Sequence, residues 1–193
     1  MAVPWIPSPW RAVDALGRLL GIGSHDVVLD LGCGDGRVLV ELARIYRARG
    51  VCIEIDRVLS NIAEIRARLD GVGDRIRVIR GDFFKVNLSE IEPRPTIVYA
   101  YLFPSILEEL APKLARELMC GTIVVSLDFA IRSWSPIFAK AFVDENGFDR
   151  ILWIYVVGLS DPEHRRPGLT NHWHQIARNF TIRRMDISLH YLE

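Results

Sequence analysis

The densest concentration of residues able to do chemistry is the run Asp30-Leu31-Gly32-Cys33-Gly34-Asp35-Gly36. Alternating glycines let the backbone turn sharply and let a ligand approach main-chain N–H groups. The spacing is not the G-x-G-x-x-G of a dinucleotide site, because Gly36 arrives one residue early and is followed by the bulky Arg37. Asp30 adds a negative charge that would repel a pyrophosphate but suits a sulfonium and an ammonium, so charge favours S-adenosylmethionine. Glu54, in Val51-Cys52-Ile53-Glu54-Ile55-Asp56, lies 18 residues past Gly36, where a carboxylate can accept from both ribose hydroxyls with Ile55 beside it. Dinucleotide enzymes use an acid in the same way, and an acid at a strand end is also commonplace, so Glu54 alone does not choose the cofactor. In Gly81-Asp82-Phe83-Phe84, Asp82 can accept from an adenine amino group while Phe83 packs on the ring. A short turn with two core phenylalanines would read identically.

These three loops need strands to carry them. Val27–Leu31 is a short apolar run, hence a buried strand, and Gly36–Tyr46 has helical apolar spacing. Val51–Ile55 is a second strand, followed by a helix over Arg57–Leu69 with Asp56 as its N-cap. The periodicity turns Leu59, Ile62, Ile65 and Leu69 inward. Ile76–Ile79, Thr96–Leu102 and Thr122–Leu127 continue the strands, with a helix from Ser105 to about Leu118. Alternating strand and helix imply right-handed crossovers and a mostly parallel, doubly wound α/β sheet. Pro136–Val143 and Arg150–Val157 flank Glu145-Asn146-Gly147, a turn signal that makes them an antiparallel hairpin and brings the sheet to seven strands. Ahead of the first strand, Pro4, Pro7 and Pro9 make the opening segment extended, and Ala12–Leu20 reads as a short amphipathic helix.

A chain of 193 residues with formal net charge +0 is one domain's worth, with no global pull toward nucleic acid or an anionic membrane. No run approaches the roughly 18–20 apolar residues of a membrane span. Three cysteines, Cys33, Cys52 and Cys120, lack paired spacing, which suggests reduced thiols in a soluble cytoplasmic protein. No residue pattern calls for a metal.

The region Val27–Ala43 with IEID and GDFF in order resembles the seven-stranded, Rossmann-like class I methyltransferases. A narrower resemblance, through PWIPSP, GCGDGR, RGDFFKVNLSE, VYAYLFPSILEELAPKLARELMCGTIVVS and DFAIRSWSP, is to the archaeal broad-specificity protein lysine methyltransferases and their mitochondrial relatives. It covers roughly residues 4–158, implying a methyltransferase domain over 1–158 and an appendage over 159–193. Leu127 departs from the family, which often has a polar residue there. The resemblance implies an S-adenosylmethionine-dependent protein-lysine N-methyltransferase acting on exposed lysines of protein substrates. Its donor site would comprise Ser8, Asp30, Gly32, Cys33, Gly34, Gly36, Glu54, Ile55, Asp82 and Phe83.

Methyl transfer from a sulfonium needs alignment and exclusion of water more than covalent help. A lysine of ordinary pKa is neutral in only about one molecule in a few thousand at pH 7, so its channel must favour the free amine. Tyr99 and Tyr101 leave the fourth strand on one face and either line that channel or pack as core. Asp128, ending the fifth strand, is a further candidate. The segment 1–10 either closes over the donor, with Ser8 meeting its carboxylate, or covers an apolar edge. His172 and His174 flank Trp173 in a segment read as solvated. Two other readings stay open: a methyltransferase for RNA or a small molecule, and a nucleoside-binding module without turnover. Neutral charge weighs against RNA, and intact Asp30, Glu54 and Asp82 weigh against an idle pocket.

Overall fold

The computed structural model describes residues 5–161. Its core is one seven-stranded sheet in the order β3-β2-β1-β4-β5-β7-β6. The strands are β1 (Val27–Leu31), β2 (Arg49–Glu54), β3 (Ile76–Arg80), β4 (Ile97–Ala100), β5 (Ile123–Leu127), β6 (Phe138–Val143) and β7 (Asp149–Val156). Strands β1 to β5 pair in parallel, and β7 runs antiparallel to both β5 and β6. The winding direction reverses between β1 and β4, so the crevice beyond their carboxyl ends is the natural ligand site.

Helices α1 (Trp10–Leu20), α2 (Arg37–Tyr46) and α3 (Arg57–Leu69) cover one face, and α4 (Pro104–Glu117) covers the other. Helix α1 buries Val13, Leu16, Leu19 and Leu20, each worth about 1.5–3 kcal/mol. It ends at Gly21 in the left-handed conformation, whose N–H closes back on Arg18. Strand β1 is buried along its whole length, as a central parallel strand should be. The β6–β7 hairpin forms around Glu145-Asn146-Gly147 as expected, with Val143 opposite Asp149. Strand β2 begins at Arg49 and stops at Glu54, so Ile55 lies beyond the ladder, 69% exposed.

Two expectations are corrected and one open alternative is decided. In α3 the buried residues are Ser60, Ala63 and Ala67, whereas Ile62, Ile65 and Leu69 point outward and Leu59 is only half-buried. The cause is closeness: a Cβ on Gly36, at the start of α2, would come within 2.8 Å of the Ala63 Cβ, so only small side chains fit that seam. Cys33 and Cys52 are joined as a disulfide rather than held as separate thiols. The register explains the meeting, because Leu31 lies opposite Ile53 and the Cys33 N–H reaches the Ile53 carbonyl, leaving the two Cα atoms 5.4 Å apart. A spacing of 19 residues across a strand-helix-strand unit carries no pairing signal of its own. Finally, Tyr99 has 1% of its surface exposed and packs as core.

Ser160 and Asp161, from the stretch expected to open the appendage, are buried against the body, where the Ser160 Oγ accepts from the Val156 N–H. The paired histidines at 172 and 174, and the element expected over 180–192, lie outside the described residues. No helix among the described residues is long and apolar enough to cross a membrane.

Candidate functional site

Asp30 is the centre of the crevice's first half. It sits between Cys52 on β2 and Tyr99 on β4 and is 3% exposed. Among the described residues no donor bonds its carboxylate. Burial, and then the carboxylates of Glu54 and Asp35, raise its pKa well above the usual range. A buried acid kept without a donor costs stability.

The glycine turn is tied to the end of β2. Gly32 and Cys33 donate to the Ile53 carbonyl at 2.9 and 3.4 Å. Gly34 donates to Glu54 Oε2 at 2.9 Å, and Asp56 donates to Oε1 at 2.8 Å. A carboxylate has about four acceptor sites, so Glu54, fixed by two backbone bonds, retains capacity for two hydroxyls. Asp56 also caps α3 through Val58 and Leu59. Asp82 accepts from the Phe84 N–H at 2.9 Å within its own turn, and its other oxygen stands 3.9 Å from Lys85. Phe83 packs with Leu102 against Gly32. Glu54, Ile55, Asp82 and Phe83 thus border the side of the turn that faces away from β4.

Asp35, which the sequence reading left without a role, clamps this turn from below. It is 4% exposed, bonds Arg37 in bidentate fashion and takes Arg66 of α3 at 2.8 Å. The Arg37 guanidinium lies 5.1 Å from the Trp10 ring centre and 5.8 Å from that of Trp5. Trp5 rests where a Cβ on Gly34 would be, so a side chain there would displace it. Residues 5–9 therefore cross over the glycine turn. Ser8 secures them by accepting from the Tyr99 hydroxyl at 2.9 Å.

The second half of the crevice, at β4 and β5, is held by Arg150 of β7. Its Nη1 donates to Asp128 Oδ2 at 2.7 Å and to the Tyr101 hydroxyl at 3.2 Å, and its Nε donates to Asp144 at 2.8 Å. Asp128 has φ 64°, a left-handed conformation uncommon for a non-glycine residue. The Asp128–Ile151 backbone bond and the Trp153 indole on the Asp128 carbonyl stabilise it there. The Tyr101 hydroxyl is held above its ordinary pKa by burial and then by the Asp128 carboxylate, against the opposing pull of Arg150. Asp128 and Arg150 pair at this end of the crevice, while the buried Asp144 holds the same guanidinium from within the hairpin turn.

The hairpin turn also reaches the opening segment. Helix α1 has no capping side chain of its own, and Glu145 supplies one, accepting from the N–H groups of Trp10 at 2.8 Å and Arg11 at 3.2 Å. Glu145 and Arg150 had no signal in the sequence for these contacts, because Trp10 and Asp128 lie 135 and 22 residues from them.

The model of the ANTKMT methyltransferase domain family matches residues 30–138. A protein-lysine N-methyltransferase of Saccharolobus islandicus is 35% identical over 81% of this chain and 94% of its own length. The adenine nucleotide translocase lysine N-methyltransferase of Mus musculus is 32% identical over 84% of this chain and 66% of its own. Among solved structures, an RNA methyltransferase from Salinibacter ruber in complex with S-adenosyl-L-homocysteine superposes with TM-score 0.70, at 38% identity, over 79% of this chain and 94% of that one.

Proposed function

As the chain belongs to the ANTKMT methyltransferase domain family, we propose that it transfers methyl groups from S-adenosylmethionine to the ε-amino group of lysines in proteins. The observation that carries this reading is the crevice's pairing of an unbonded buried acid, Asp30, with a tyrosine hydroxyl and a carboxylate, Tyr101 and Asp128, held together by Arg150. The chemistry present fits the donor. Asp30 would hold its cationic ammonium and Glu54 its two ribose hydroxyls, and Ile55, Phe83 and Asp82 would receive the adenine. The turn Gly32 to Gly36, whose own N–H groups are spent on Ile53, Glu54 and Cys33, would border the amino-acid end without a side chain in the way. Bound S-adenosylmethionine supplies a methyl group on a sulfonium, a leaving group that needs no acid.

The chain's own residues do the remaining work. A lysine side chain enters beside the Asp128–Arg150 pair, where the partly buried setting disfavours the charged form of the amine. Asp128 accepts the proton that the amine must lose. The Tyr101 oxygen, held by Arg150, accepts from an amine N–H and so aims the nitrogen lone pair inward. Tyr99 acts at one remove, holding Ser8 and with it the segment that keeps water off the donor. Ser8 thus serves as a latch whose hydroxyl stands at the donor's carboxylate end.

A second reading, methyl transfer to RNA, has one observation in its favour, the name of the Salinibacter ruber neighbour. Incubating the purified protein with methyl-labelled S-adenosylmethionine and a cell extract separates the two. Label removed by protease and untouched by ribonuclease is expected; label removed by ribonuclease would overturn the lysine reading.

A further inference from the structure

Helix α3 carries its large apolar residues on the side away from the sheet. Val58, Ile62, Ile65 and Leu69 are 65, 39, 54 and 82% exposed. Their steps of four, three and four place them along one stripe, opposite the buried Ser60, Ala63 and Ala67. A solvated helix face normally reads polar, and a contiguous apolar stripe marks an interaction site.

The stripe is also symmetric about its own middle. Counting outward from the point between Ala63 and Glu64, Ile62 mirrors Ile65 and Val58 mirrors Leu69. A two-fold axis through that point would lay Ile62 against Ile65 of a second copy, and Val58 against Leu69 of the second copy, in antiparallel register. Self-complementarity of this kind is the requirement of a two-fold interface. At the rim, Arg66 is paired with Asp35 at 2.8 Å and Arg68 with Glu64 at 3.7 Å, so these two flanking cations have counter-charges within their own chain. A helix of 13 residues is about 20 Å long. With the stems of Arg66 and Arg68, such a pair covers on the order of 1,000 Å² in total, the lower bound for a specific interface. Helix α3 packs on β2 and β3, so this contact leaves the mouth at β4 and β5 open to a protein substrate.

We propose that α3 is a dimer interface, formed by the stripe Val58, Ile62, Ile65 and Leu69 packing antiparallel on the same stripe of a second copy. The association is weak enough to follow concentration across the micromolar range. Sedimentation equilibrium of the full chain, from low to high micromolar, is expected to show a monomer–dimer equilibrium. Leu69→Glu and Ile65→Glu, at exposed positions, are expected to weaken it by about tenfold or more with unchanged melting temperature. Register is tested by oxidative cross-linking in a Cys120→Ser background. The double variants Ile62→Cys/Ile65→Cys and Val58→Cys/Leu69→Cys should link two copies, and Val58→Cys alone should not, since the two Val58 side chains lie at opposite ends of the seam. A monomer at every concentration would overturn the proposal, as would occur if residues 162–193 or another protein covered the stripe. So would a dimer indifferent to Leu69→Glu, or efficient linking by Val58→Cys alone.

Discussion

The two halves of the crevice are built on different principles. At β1 and β2 the parts lie within a few residues of a strand end. Main-chain N–H groups fix Glu54 and the register fixes Asp30, while Arg66 and the covering Trp5 come from farther away. At β4 and β5 the parts meet through one long-range side chain: Arg150 holds Tyr101, Asp128 and Asp144 together, and Glu145 ties the same hairpin turn to α1. A donor that never varies can be held by a local motif. A mouth that receives a side chain of another protein is assembled from distant, exchangeable parts.

This contrast can be broken most forcefully at Arg150. Its replacement by alanine leaves Asp128 and the buried Asp144 without their cation, a loss of about 3–5 kcal/mol for a buried pair. Chemical denaturation is expected to show this, and a loss under 1 kcal/mol would mean that the β4–β5 half does not depend on it. In the other half, Glu54→Ala is expected to weaken donor affinity by about 1.5–3 kcal/mol, the worth of charge-assisted hydrogen bonds, by calorimetry. Unchanged affinity would remove Glu54 from the site. Glu145→Ala strips α1 of its only capping carboxylate and should cost about 0.5–2 kcal/mol of stability, with donor affinity falling if the opening segment loosens with the helix.

The Asp30 carboxyl sharpens the comparison through pH. Its pKa is raised in the folded, ligand-free protein, so the folded state prefers the protonated form. Its contribution to stability is greatest below the unfolded-state pKa and is lost as pH rises through the raised one. Above the raised pKa the ionised group destabilises the fold, and there Asp30→Asn should raise the melting temperature of the ligand-free protein while weakening donor binding. Donor affinity in the unaltered protein should increase as pH rises through the same interval, and in Asp30→Asn it should not. A variant that lost both stability and affinity would contradict the role given to this acid. The smallest effect is expected from Trp5→Ala, which removes a partly exposed cation–π contact worth about 0.5–1 kcal/mol.

What was legible in the sequence follows the same division. The glycine turn, Glu54, the Asp56 cap and the hairpin turn depend on neighbours in the chain and were readable as such. The α3 stripe shows the limit of periodicity, which tells which residues share a face but not which face is inward. Gly36 and Ala63 decide that, across a contact between two helices. Tyr99 and Tyr101 share a strand face, yet Ser8 buries the first and Arg150 holds the second at the mouth. No local pattern separates them. The Cys33–Cys52 disulfide likewise depends on the register of two strands rather than on spacing.

The donor's position is the point on which both halves depend. A crystal structure of the protein with S-adenosyl-L-homocysteine tests it directly. The ribose hydroxyls are expected on Glu54, the amino group at Asp30, and the sulfur facing Tyr101. A ligand bound elsewhere, or one whose sulfur faces away from Tyr101 and Asp128, would contradict the account.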